Sequence, residues 1–189
     1  PRVNGKFASQ PALYLCNHPS YLDILFAVGQ TPSVLVAADE FRSAPFIGWL
    51  GRALQTVWVR RKCPLSRSRV RETVVRKVKE GTSVFVFPEG QTTGAHAVQE
   101  VKPGLFRTAV EESLPIAFLS IRYSNPAPLY FHTMGPGFFR DWLRHAWHVL
   151  CQPQLGVVLK VSVPMYYSSP EQAQEAFYAF HQRHLRRAA

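Results

Sequence analysis

Two short runs that lack polar alternation, A-L-Y-L-C at 12–16 and S-V-F-V-F at 83–87, each stop at a proline-containing turn that carries ionisable side chains. A strand without polar alternation has to be covered on both faces, so such runs belong inside a layered sheet and not at a solvated edge. Further short β-rich runs stand at 33–37, 55–59, 116–123 and 155–163. Between them lie helical patterns at 20–28 (behind Pro19), 66–80, 104–112 and 137–151. In 66–80, Val70, Val74 and Val78 recur every four residues, basic side chains fill the other faces, and Gly81 is the stop. The 137–151 pattern aligns Phe138, Trp142, Ala146 and Val149. A last helix opens with Ser169 as N-cap, Pro170 first and Glu171 and Glu175 near its positive end. This alternation predicts an α/β fold, a single layered domain over residues 1–189. Its sheet is mixed and mostly parallel, flanked by helices, with the active site at strand C-terminal ends.

Composition narrows the partners. There are 22 Lys and Arg against 12 Asp and Glu, a net charge of +10, yet charged residues are only 18% of the chain. A positive surface seeks phosphate on nucleic acid, on anionic lipid or on a small substrate. Cys16, Cys63 and Cys151 are too scattered for a disulfide framework or a metal site, which favours a reducing compartment. No run of about eighteen apolar residues is present. The chain begins at Pro1, and a membrane anchor upstream of residue 1 is an expectation.

G-x-S-x-G, P-loop, G-x-G-x-x-G and H-E-x-x-H motifs are all absent. What remains at the first strand–helix junction is Asn17-His18-Pro19-Ser20-Tyr21-Leu22-Asp23. There Asp23 can reach back to one imidazole nitrogen of His18 and fix its tautomer. Such a pair is a general base without a protein nucleophile, suited to a substrate that brings its own hydroxyl. Equally, His18 can cap the helix and Asp23 complement its dipole. The second motif, Phe87-Pro88-Glu89-Gly90, sets a carboxylate at a strand's C-terminal end, where open α/β sheets collect ligands, or is a plain Pro-x-Gly turn.

Taken together, N-H-x-x-x-x-D and F-P-E-G resemble the glycerolipid acyltransferase family, the PlsC-like lysophospholipid acyltransferases. Val3-Asn4-Gly5 resembles the family's lead-in strand. Pro45 to Leu50, with Val57 to Arg61, resembles its second block, Lys102-Pro103-Gly104 its K-x-G, and Leu114-Pro115-Ile116 its fourth block. The resemblance implies an O-acyltransferase with His18 and Asp23 catalytic. Asn17, Arg61, Phe87, Pro88, Glu89, Gly90 and Lys102 are implied to bind substrate. It also implies a co-substrate, acyl-CoA or acyl carrier protein, with no other cofactor and no metal. The implied partners are a lysophospholipid acceptor and an anionic membrane surface, with no nucleic acid. The implied place is the cytoplasmic face of a membrane, peripheral or anchored from upstream.

Departures from the family pattern bear on the acceptor. Gln91-Thr92-Thr93 stands where T-R-S is frequent, so Thr92 replaces a phosphate-gripping arginine, and Arg60 stands where an acidic residue often lies. The leading acceptor is 1-acylglycerol-3-phosphate. The threonine-rich third block and the 137–151 segment also resemble the lyso-ornithine lipid branch. Arg60, Arg61 or Lys102 can supply the missing cation. The remaining basic residues of 60–79 read as a solvated face or as contacts to lipid headgroups. The apolar stretch 44–59 reads as core, part of it able to line an acyl groove. His145 and His148, like His181 and His184, stand at helical spacing without a carboxylate and read as packing residues. Other classes are a basic nucleic-acid-binding module, without a recognisable motif, and a non-catalytic lipid-surface protein.

Overall fold

The computed structural model describes residues 2–43, 47–130 and 137–185. Pro45 and Phe46 of the second block, the proline-rich residues 131–136 and the basic residues after Leu185 lie outside the described residues. The side chain of Phe138 does too. The elements run β1 (Arg2–Asn4), β2 (Leu13–Cys16), α1 (Asp23–Val28), β3 (Ser33–Ala38), a 3₁₀ turn (Asp39–Phe41), α2 (Ile47–Ala53) and β4 (Val57–Val59). They continue as α3 (Pro64–Lys79), β5 (Ser83–Val86), α4 (Gly104–Glu111), β6 (Ile116–Tyr123), α5 (Phe138–Leu150), β7 (Val157–Val161) and α6 (Pro170–Leu185).

The strands form one sheet in the order β1-β7-β6-β2-β5-β3-β4. Neighbours are parallel except β6 and β7, which run antiparallel, so the sheet is mixed and mostly parallel, as the sequence predicts. The apolar runs occupy its centre, with β2 between β5 and β6. Alternate residues serve opposite faces. Leu13 and Leu15 pack with Val70, Val74 and Val78 of α3, Phe106 of α4 and Phe177 of α6. Tyr14 and Cys16 pack on the other side with Ala27 of α1, Phe85, Leu119 and Ile121. Each such side chain contributes about 1.5–3 kcal/mol on burial, which explains why β2 has no polar alternation.

Several boundaries differ from the expectation, the run at 55–59 pairing only over β4, Val57–Val59. Residues 21 and 22 form a turn, and α1 begins at Asp23, whose Oδ2 accepts from the Ser20 amide (2.8 Å). The run at 155–163 pairs only over β7, Val157–Val161. At the far end, Ser169 caps α6 as expected, its Oγ accepting from the Gln172 amide at 3.1 Å.

His181 of α6 is fully buried among Phe118, Phe177 and Phe180. Its ring nitrogens face two carbonyls, Phe177 O at 2.8 Å and Leu119 O at 3.2 Å. Burial pushes its pKa down to about 4, outweighing the two carbonyls that favour the charged ring. The unfolded chain, with an ordinary histidine near 6.5, therefore binds more protons than the fold between these limits. Stability should fall by about 3 kcal/mol as pH drops from 7 to 4 through this group alone. Urea unfolding against pH checks this, and His181→Leu should flatten that part of the profile.

Candidate active site

The parallel strands deliver their C-terminal ends to one side of the sheet, and the two motifs meet there. His18 follows β2 and is held at four points. Its Nδ1 lies 2.8 Å from Asp23 Oδ2. Its amide donates to Glu89 Oε1 at 2.9 Å. Its carbonyl accepts from the Thr93 amide at 2.8 Å. Its ring stacks on Phe87 with centroids 4.0 Å apart and planes 18° off parallel. With Nδ1–H donated to a carboxylate, Nε2 carries the lone pair, and none of the hydrogen bonds among the described residues engages it.

Asp23 is wholly buried. Oδ2 also accepts from the Ser20 amide, and Oδ1 accepts from the Tyr123 hydroxyl at 2.6 Å. Burial pushes its carboxyl above the ordinary aspartate range, while the hydrogen bond and charge of His18, the Tyr123 hydroxyl and the Ser20 amide pull the other way. Both oxygens are thus aimed, and the carboxylate can orient the ring and stabilise an imidazolium.

Glu89, 5% exposed, does not line the cavity described below. Its Oε1 takes the His18 amide and its Oε2 the Gln99 amide at 2.8 Å. Burial raises its pKa, against the two amides and the nearby His18. Asn17 is likewise turned inward: Oδ1 accepts from the Ile121 amide (2.7 Å) and Nδ2 donates to the Ile121 carbonyl (2.9 Å). These two residues hold the loops that present His18. Gly90, at φ +74°, closes the turn by donating to Phe87 O. A Cβ there would come within 2.7 Å of Lys102 Nζ, so a side chain would displace the lysine.

Above these turns lies a cavity of about 490 Å³. His18, Phe87, Pro88, Gly90, Arg61 and Lys102 all line it. Its walls are apolar: Ile24 and Leu25 of α1, Leu50 of α2, Leu54, Trp58 of β4, and Trp142, Ala146 and Val149 of α5. The second block thus lines a groove, as one of its readings held. Arg60 does not join the lining and lies 3.7 Å from Asp39. Two arginines of α3, Arg67 and Arg71, do line it, although their helix reads in sequence as a basic solvated face. Lys102 has its pKa lowered by burial and then by Arg61 and Arg67, so these charges lie close together.

Tyr123 was also missed. Its position at a strand C-terminal end, as with the turns that carry His18 and Glu89, is the signal that could have found it. His145 packs between Tyr21 OH (3.1 Å) and Leu129 O (3.2 Å).

A profile of the family described as Acyltransferase matches residues 2–122, more than half of the chain. This chain belongs to the Acyltransferase family. It is 29% identical over 122 residues to a lyso-ornithine lipid O-acyltransferase of Pseudomonas aeruginosa, covering 65% of this chain and 47% of that protein. It is 33% identical over 182 residues to the lysophospholipid acyltransferase LPCAT4 of Homo sapiens, covering 92% of this chain and 33% of that one. The chain therefore spans less than half the length of either relative. In fold it superposes on the crystal structure of the 1-acyl-sn-glycerophosphate acyltransferase PlsC of Thermotoga maritima. The TM-score is 0.64 at 20% identity, over all of this chain and 73% of that one.

The geometry of the site carries a direct test. Glu89→Gln turns a buried NH₂ donor against one of two backbone amide donors, and should cost about 1–3 kcal/mol of stability in chemical denaturation. Amide exchange at His18 and Gln99 should accelerate together.

Proposed function

We propose that this chain catalyses O-acyl transfer from an acyl thioester to the hydroxyl of a lysolipid. The observation that carries the reading is the His18 ring, tied by Nδ1 to a buried carboxylate and set at the polar end of an apolar, cation-flanked cavity. The Nε2 lone pair takes the proton of the acceptor hydroxyl as its oxygen attacks the thioester carbonyl. The tetrahedral intermediate collapses, the C–S bond breaks, and the leaving thiolate takes the proton back from the imidazolium. Asp23 remains a carboxylate throughout and stabilises the charged ring. The apolar walls suit an acyl chain. Either acyl-CoA or acyl carrier protein supplies the thioester.

The leading acceptor is 1-acylglycerol-3-phosphate, with Arg61 and Lys102 opposite its phosphate. Thr92, in place of the arginine frequent in the family, and the Pseudomonas aeruginosa relative favour lyso-ornithine lipid as the second reading. No helix among the described residues is long and apolar enough to cross a membrane. Peripheral contact with an anionic bilayer on its cytoplasmic face fits α5, whose Phe139, Leu143, Trp147 and Leu150 share an arc of about 80° and are exposed. Trp147 is 70% and Leu150 78% exposed. Arg140 and Arg144 border this stripe on the helix.

Labelled acyl-CoA offered with lysophosphatidic acid, lysophosphatidylcholine or lyso-ornithine lipid in micelles should give transfer to at least one acceptor. His18→Ala should lower it about 10²–10⁴-fold. Unchanged turnover in His18→Ala would falsify the mechanism. Flotation with anionic vesicles should recover the protein, and Trp147→Ser with Leu150→Ser should reduce that recovery. Equal recovery would place the lipid contact elsewhere on the molecule.

A further inference from the structure

We propose that Arg67 and Arg71 of α3 join Arg61 and Lys102 in a phosphoryl-binding site at the cavity mouth, so that headgroup charge is read from α3 and not from position 92. The proposal deepens the acyl-transfer reading and rests on it for the identity of the ligand.

Four cations from three separate stretches of chain line the same cavity. Ion pairs among the described residues engage Arg42, Arg60, Arg76, Lys79 and Arg140, and none of these four. Glu40 is a carboxylate that Lys102 also senses, yet like charges so gathered repel one another, and an anion between them removes that repulsion. The placements converge. The Arg71 guanidinium stands over the first residue of α4, its Nη1 3.8 Å from where a Gly104 Cβ would lie. The Lys102 ammonium stands over Gly90. Lys102 senses both Arg61 and Arg67. Arg67 and Arg71 are four residues apart, hence on one side of α3, where like charges weaken a helix unless something bridges them. Two guanidinium forks suit the oxygens of a phosphoryl group.

A second observation at the same cavity points to a ligand. Thr92 is 6% exposed, lines the cavity, and its Oγ1 has no hydrogen-bond partner. A buried hydroxyl in that condition is stabilised by a polar group arriving from the cavity. Position 92 thus offers a neutral hydroxyl, and α3 supplies the charge. The phosphoryl group can belong to the acceptor headgroup or to the phosphates of CoA, and the chemistry of capture is the same.

The test measures binding to the His18→Ala protein, so that no turnover is required. The probes are short-chain lysophosphatidic acid, CoA, and short-chain monoacylglycerol as the neutral control. Arg67→Gln with Arg71→Gln should weaken binding of at least one phosphoryl probe tenfold or more and leave monoacylglycerol unchanged. Arg69→Gln, on the same helix but outside the cavity lining, should change neither. Loss confined to lysophosphatidic acid assigns the site to the acceptor, and loss confined to CoA assigns it to the donor. Unchanged binding of both phosphoryl probes, or an equal loss in Arg69→Gln, overturns the proposal. If the double variant does not fold, the single exposed change Arg67→Gln is read by the same outcomes. Phosphoryl binding lost in these variants while the parent chain shows no acyl transfer would leave the site standing and sink the reaction.

Discussion

The buried carboxylate of Glu89 joins two backbone amides that no strand pairs: that of His18, just past β2, and that of Gln99, in the approach to α4. Because β2 and β5 are parallel neighbours, their C-terminal turns lie side by side, and one side chain can cross between them. Asn17 extends the same stitching to β6 by pairing with both polar groups of Ile121. These bonds satisfy the buried polar side chains of Glu89 and Asn17, which would be costly to leave without partners. The orientation of the His18 ring follows from them: its amide and carbonyl are fixed before the ring meets Phe87 and Asp23.

Asp23 balances two opposed effects. Full burial disfavours its charge, and three donors favour it. A carboxylate in this position is held by hydrogen bonds more than by solvent, so the histidine it faces is both its partner and the group it orients. The same economy shapes α5, whose inner side lines the cavity while its outer side stays exposed and apolar. The wall and the outer surface are two sides of one 13-residue segment.

Much of this was legible in the chain. The β2 and β5 runs could only be central strands, since their apolar residues point both ways. The valine ladder of α3 and the capped start of α6 declared themselves by spacing. N-H-x-x-x-x-D and F-P-E-G marked two turns that meet in the structure. The pattern at 20–28 carries no sign that α1 starts only at Asp23, whose side chain is turned inward to His18, Ser20 and Tyr123. Glu89 and Asn17 read as groups offered to a ligand, since a polar residue in a turn carries no sign of whether it faces outward or into backbone.

The sequence by itself determined the layered α/β class, the central strands, the two motif turns and the residue types available for base and anion chemistry. Those follow from local periodicity and from residues adjacent in the chain. Only the tertiary structure decided which cations face the cavity. Arg60 and Arg61 are neighbours, yet only Arg61 lines it, while Arg67 and Arg71 come to Lys102 from another element. It also decided that Tyr123 completes the Asp23 environment across a separation of 100 residues. Those choices depend on how strands and helices are placed against one another, and hydrophobic patterning constrains that placement without specifying which polar side chains it will bring together.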